Sequence, residues 1–175
     1  MSRNATIDVA KGLGIVLVVL GHNWIVESTK GELFRVVFSF HLPLFLFLSG
    51  VFLRSSDTFM HFVQSRAQSL LKPYFVVLVA IGAIKLAGSA YFEGVLYATG
   101  RTLYWIPMWY LPHLFIASLA ALLVIKAVPS ARLQGLVIAA LLAVGVYTLR
   151  PTDWPWSLDL LPISAAFLLL GYACR

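Results

Sequence analysis

Apolar residues fall along the chain in six long runs, near positions 6–26, 33–53, 74–92, 107–126, 133–149 and 158–174, with most charged residues gathered between them. At 1.5 Å of rise per residue each run is about long enough to cross the roughly 30 Å hydrocarbon layer of a bilayer. The pattern predicts an all-α protein, a polytopic bundle of about six transmembrane helices in a single domain over residues 1–175. The fifth run is the shortest and the third contains Lys85, so tilted, re-entrant or bundle-buried helices are expected there. Residues 91–106 mix Glu93, Gly94, Gly100 and Arg101 with apolar neighbours and suit an interfacial helix or a loop.

Composition strengthens this reading. Hydrophobic residues make up 61% of the 175 and charged residues only 11%, and mean hydropathy is +0.90, well above the soluble range. The net charge of +6 is dispersed between apolar runs rather than gathered into a stripe that could follow a phosphate backbone, which argues against nucleic-acid binding. A single cysteine, Cys174, excludes an intramolecular disulfide and a cysteine-based metal cluster. No small-residue cleavage site follows the first run, which continues Gly21, His22, Asn23, Trp24, so it is expected to stay as an uncleaved first helix. With the N-terminus inside, Arg3, Arg54, Arg66, Lys72, Lys126, Arg132 and Arg175 fall on the cytoplasmic side, against Lys30, Arg35, Arg101 and Arg150 outside. Basic residues favour the cytoplasmic face, so this orientation is expected. It also brings Trp24, Trp105, Trp109, Trp154 and Trp156 toward the outer interface.

Two basic side chains inside the first run bear on function. Lys11 and His22 are eleven residues apart, within about 20° of three full helical turns, so they share one helix face about 16 Å apart. A charge near mid-membrane costs roughly 2.5–3.5 kcal/mol on insertion scales, so Lys11 needs a partner, a wet cavity or a task. Asp8, three residues earlier, is a candidate partner. Gly14 and Gly21 share a face and are expected to permit close packing. The second run returns inward, which places His41 about 12 Å below its start, at a depth close to that of His22. Pro43 removes a backbone donor, frees the Ser39 carbonyl and suits a cavity wall.

Taken together, Lys11 through His22, the segment Phe40-His41-Leu42-Pro43-Leu44-Phe45-Leu46-Phe47-Leu48-Ser49-Gly50, the basic stretch Arg66-Ala67-Gln68-Ser69-Leu70-Leu71-Lys72-Pro73-Tyr74 and Met108-Trp109-Tyr110-Leu111-Pro112 resemble acyltransferase family 3, in its fucose 4-O-acetylase-like branch. Two of these motifs depart from the family's form. Lysine replaces the usual arginine ahead of the histidine, a point charge in place of a planar fork. In the basic segment the family often has two arginines three apart, whereas here Arg66 is followed by Ser69, with Lys72 as the candidate for the missing charge; Met108-Trp109-Tyr110-Leu111-Pro112 resembles the family's Trp-Phe-Leu segment. The family's domain has about ten spans in roughly 300 residues or more, so the resemblance implies an amino-terminal half, either self-associating or completed by a missing carboxy-terminal half.

The resemblance implies an enzyme of a bacterial inner membrane that moves an acetyl group from acetyl-CoA to a hydroxyl of a cell-surface or exported carbohydrate. It implies no permanently bound cofactor and no metal, since two histidines on separate helices without a nearby carboxylate make a poor site. His22 is then the candidate general base, and its alternative is a histidine satisfied by a neighbouring helix. Lys11 is a candidate for positioning a coenzyme A phosphate or pantetheine, or a side chain snorkelling beside Asp8. His41 is expected to orient the acceptor or share a proton, or to make an interhelical hydrogen bond. Arg66 and Lys72 are candidates for the coenzyme A phosphates, though topology alone also calls for basic residues there. Trp109 and Tyr110 suit stacking on a sugar ring or membership of an aromatic belt, and His113 suits packing. Two other classes are the competing expectations: a small transporter or channel using Lys11, His22 and His41 as a polar path, and an inactive acyltransferase-like fragment or assembly subunit that needs another chain to complete its bundle.

Overall fold

In the computed structural model, which describes residues 5–23, 31–99, 107–148 and 154–175, the described chain is helical and contains no strand. The α-helices in chain order are α1 (Ala5–Gly21), α2 (Glu32–Val51), α3 (Phe59–Arg66), α4 (Lys72–Ile84), α5 (Ser89–Tyr97), α6 (Tyr110–Ala127), α7 (Ala131–Thr148) and α8 (Leu161–Ala173). Three helical stretches are long and apolar enough to cross a membrane: Phe59–Ile84, Tyr110–Ala127 and Pro155–Ala173. Arg35–Val51 and Ala131–Tyr147 are shorter apolar helices, and α1 has 17 residues. The protein is a membrane protein built as a helix bundle. The basic residues Arg3, Lys30, Arg101 and Arg150, with Trp24 and Trp105, lie outside the described residues.

The third span differs from the run at 74–92. A single helical stretch covers Phe59–Ile84, so the basic segment from Arg66 to Lys72 is inside the helix rather than before it. Thr58 starts it, its hydroxyl accepting from the His61 N–H at 3.4 Å. Pro73 offers no N–H to the Ser69 carbonyl, and the helix accommodates this with a π turn over Ala67–Leu71. The stretch ends at Ile84 because Leu86 turns left-handed (φ 49°), with the Ala87 N–H bonded to the Gly82 carbonyl at 2.9 Å. Lys85 is therefore the cap of the helix and exposed, not a mid-span residue. The mixed segment after it is helical over α5, which folds back on α4. The Tyr74 hydroxyl donates to the Val95 carbonyl at 2.6 Å and Tyr91 donates to the Leu78 carbonyl at 2.9 Å.

At the centre, α8 packs on α2, α6 and α7. Lipid tails are as apolar as leucine, so close packing rather than a hydrophobic gradient must hold these helices together. Small residues supply it: Ala117 and Ala121 of α6 and Ala166 of α8 are fully buried beside Leu122 and Leu168. The tightest approach is between α2 and α8, where a methyl on Gly50 would meet the Leu168 carbonyl oxygen and one on Gly171 the Phe47 carbonyl oxygen. The two backbones touch, and only glycine fits at either position. The same end is tied by Ser55 to the Tyr172 hydroxyl at 2.9 Å and by Arg175 donating to the Leu53 carbonyl at 2.9 Å. In contrast, α1 makes its main contact with α2, and Leu13, Ile15, Val16 and Val19 on its other face are exposed.

Gly50→Ala and Gly171→Ala are each expected to cost about 2 kcal/mol of stability by overpacking. Gly12→Ala, with nothing near its added methyl, should be neutral or slightly stabilising. Thermal unfolding of the detergent-solubilised variants, followed by loss of helical signal, checks the contrast.

Candidate active site

The α1–α2 pair sets the site. The helices run antiparallel, and Gly14 makes room for α2: a methyl there would sit 3.0 Å from the tip of the Phe45 ring and 3.3 Å from Leu44. This bears out the close packing expected of Gly14. On one side of that contact, the rings of His22 and His41 meet edge to face at 6.3 Å between centroids, as their matched depths predicted. On the other side, the Lys11 ammonium sits over the Phe52 ring, 4.1 Å from its centroid. Lys11 on α1 and His22 directly after it are eleven apart, and their partners, His41 on α2 and its cap residue Phe52, are likewise eleven apart. Both intervals span about 16 Å, so the seam carries two paired stations at matching separation.

Each station of the seam has a cavity. Val18, His22, His41, Leu42, Phe45, Trp109 and Tyr110 line one of about 290 Å³. All four outer-side candidates from the sequence, His22, His41, Trp109 and Tyr110, thus share one cavity. A second, of about 330 Å³, is lined by Phe52, Arg54, Asp57, Phe62, Ser65, Arg66 and Ser69. Arg66 lies over the Phe62 ring at 5.3 Å, so two cations, Lys11 and Arg66, rest on aromatic rings at this end. Lys72 is exposed beyond the π turn and lines neither cavity. Arg54 takes the place expected of it, and the sequence signalled Arg54 only as one more inside charge.

The histidines have a defined tautomer. His22 Nδ1 lies 2.9 Å from the Val18 carbonyl oxygen, and His41 Nδ1 lies 2.7 Å from that of Val37. A carbonyl only accepts, so Nδ1 carries the hydrogen in each ring, and in the neutral imidazole the lone pair is on Nε2. A helix's own backbone therefore presets both rings for proton acceptance at Nε2. His41 is 3% exposed and His22 is exposed. The Tyr110 ring lines the same cavity, while its hydroxyl oxygen is shielded from solvent and has no hydrogen-bond partner among the described residues.

A family model described as an acyltransferase domain matches residues 4–175. The chain belongs to acyltransferase family 3. A stretch of 106 residues is 37% identical to the nodulation protein NolL of Sinorhizobium fredii (strain NBRC 101917 / NGR234), covering 54% of this chain and 28% of that protein. The chain thus spans less than a third of the curated relative it matches. No solved structure matches significantly.

The arrangement separates a histidine end from a cationic end along one seam. His113 belongs to neither. It is 2% exposed, its Nδ1 donates to the Trp156 carbonyl at 3.1 Å and its Nε2 accepts from the Ser164 hydroxyl at 2.7 Å, so both nitrogens are used, as the packing reading expected. That carbonyl belongs to a turn with no sequence signal beyond Trp154-Pro155-Trp156: Trp156 and Ser157 are both left-handed (φ 57° and 52°). The turn is held by His113 and by the Trp156 Nε1 donating to the Leu96 carbonyl at 2.9 Å. Trp109, its ring 6.3 Å from His113, packs with this buried group and faces the cavity from it.

The two kinds of histidine should separate on mutation. His113→Ala strands the buried Ser164 hydroxyl and leaves a void, at a cost of about 3 kcal/mol. His22→Ala, exposed, should stay within about 1 kcal/mol of the parent. Melting temperatures of the two purified variants check the difference.

Proposed function

We propose that the protein transfers an acetyl group from acetyl-CoA to a hydroxyl of a cell-surface or exported carbohydrate, acting in a bacterial inner membrane with its N-terminus on the cytoplasmic side. The observation that carries this reading is the cavity in which His22, His41, Trp109 and Tyr110 converge. Acyl transfer to an alcohol needs a base beside the attacking hydroxyl and a flat surface to hold a sugar ring, and these four residues supply both.

In the proposed step, His22 Nε2 takes the proton of the acceptor hydroxyl as its oxygen attacks the thioester carbonyl. A carbon–oxygen bond forms, the carbon–sulfur bond breaks, and the leaving thiolate of coenzyme A receives the proton from the His22 imidazolium. His41, fixed by its bond to Val37 and in edge contact with His22, positions that ring. Lys11, Arg54 and Arg66 at the other end offer cations to the coenzyme A phosphates, with Lys72 as an outlying charge. The separation of about 16 Å between the stations suits a donor whose phosphates and thioester lie at opposite ends of an extended pantetheine arm.

The competing transporter reading asks for a continuous polar path between Lys11 and His22. Val18, Leu42 and Phe45 stand beside the histidines and Phe45 meets α1 at Gly14, so the seam between the two stations is apolar. That arrangement favours a stationary site over a conduit.

Sealed membrane vesicles containing the protein, given labelled acetyl-CoA on the cytoplasmic side, should place label on saccharide. His22→Ala should lower the rate by roughly a hundredfold or more. Absence of label with the parent protein would sink the reading, and equal label in both would remove His22 from the reaction. Lys11→Ala should raise the KM for acetyl-CoA about tenfold, the effect of losing one charge-assisted phosphate contact, and leave the acceptor KM unchanged.

A further inference from the structure

The Phe45 ring closes the contact between α1 and α2 and at the same time forms part of the wall of the histidine cavity. Its tip fills the notch that Gly14 leaves on α1 with no slack: a methyl on Gly14 would sit 3.0 Å from the end of the ring and 3.3 Å from the carbon beside it. Val18 lies one turn before His22 and Phe45 one turn after His41, so on both segments the apolar lining stands on the side of the histidines that lies toward the cationic station. Leu42, next to His41, completes it. The aromatic pair Trp109 and Tyr110 comes from a different element, the start of α6 and the turn before it. One wall of the cavity is thus aliphatic and phenyl, supplied by α1 and α2, and the other is the aromatic surface already assigned to a sugar ring.

The stereochemistry of acyl transfer gives the apolar wall a task. A nucleophilic oxygen approaches a carbonyl carbon from above the plane that holds its three substituents. In the reading of the previous subsection the acceptor lies on the aromatic side, so the sulfur, the carbonyl oxygen and the acyl chain of the thioester spread over the side away from the sugar, against Val18, Leu42 and Phe45. An apolar chain gains most from leaving water at such a surface. The wall has no room to retreat, because Phe45 is stopped by α1 at Gly14. The cavity, of about 290 Å³, is at the small end of ligand pockets and must take the sugar as well. Resting on that reading, we propose that Phe45 sets the length of the acyl group that the enzyme transfers, admitting two carbons and excluding chains of four or more. The ring makes no bond to either substrate and takes no part in proton transfer. It selects the donor by shape, and an extra methylene in a packed apolar site is worth a discrimination of roughly ten- to two-hundredfold.

The test offers labelled acetyl-, propionyl- and butyryl-CoA, one at a time, to the full chain in sealed vesicles, with a mixture of methyl hexopyranosides as acceptor. For the parent protein kcat/KM should fall roughly tenfold from acetyl to propionyl and about a hundredfold or more from acetyl to butyryl. Phe45→Ala should bring butyryl to within about threefold of acetyl, and Phe45→Leu, which disturbs the α1–α2 contact less, should move in the same direction. The acceptor KM should stay unchanged in both. Gly14→Ala, which presses on the ring from behind, should keep the parent's ranking of donors or sharpen it. The ratio between donors is independent of how much of each variant folds, so a less stable variant still reports. Two results would overturn the proposal: a parent protein that transfers butyryl as readily as acetyl, or Phe45 variants that keep the parent's ratio between chain lengths. Failure of the parent protein to acetylate any of the glycosides would instead overturn the acetyl-transfer reading itself, and this inference with it.

Discussion

The register between α1 and α2 is the constraint on which the site depends. Gly14 against Phe45 fixes how closely the helices approach, and the antiparallel direction then decides which residues meet. Had α1 been shifted by one residue, each side chain on it would turn by about 100° and neither His22 nor Lys11 would reach its partner. The two stations are thus a single geometric fact expressed twice. Their chemical difference comes from the side chains alone: imidazole on imidazole at one end, ammonium on an aromatic ring at the other.

Each station is kept in order by contacts within and between the helices that carry it. Both histidines fix their Nδ1 protons on the carbonyl four residues earlier in their own chain segment. Lys11 and Arg66 lie over ring faces, an arrangement that favours a cation without neutralising it and so leaves its charge to be felt by an anionic ligand. By contrast, His113 shows what a histidine in the same bundle looks like when it is part of the frame, with both nitrogens committed and the ring almost wholly enclosed.

Much of this was legible in the sequence because helix geometry turns spacing into direction. The all-helical bundle, the meeting of His22 with His41 and the role of Gly14 as a small packing residue all follow from periodicity and depth. The start of the third span did not, because an apolar count sees Arg66, Gln68 and Lys72 as a break, whereas the helix passes through them on its cap at Thr58 and its π turn before Pro73. Arg54 and Phe52 were missed for a different reason. Their importance lies in what folds against them from α1 and α3, and no local pattern encodes it. The left-handed pair at Trp156 and Ser157 was equally silent, since neither residue type favours that conformation and it is sustained by the bonds from His113 and to Leu96 together with the Ser157 N–H donating to the Trp154 carbonyl.

The glycine contact between α2 and α8 has a mechanical meaning. Two backbones in touch cannot rotate or slide past one another without overlap, so α2 and α8 behave as one beam, and His41 and Phe52 ride on its fixed side. The helix opposite, α1, is braced mainly from that side and is otherwise bordered by exposed apolar residues. Any displacement of α1 as a rod carries Lys11 and His22 together. A tilt of α1 about the contact of Gly14 with Phe45 would draw one station apart as it pressed the other together.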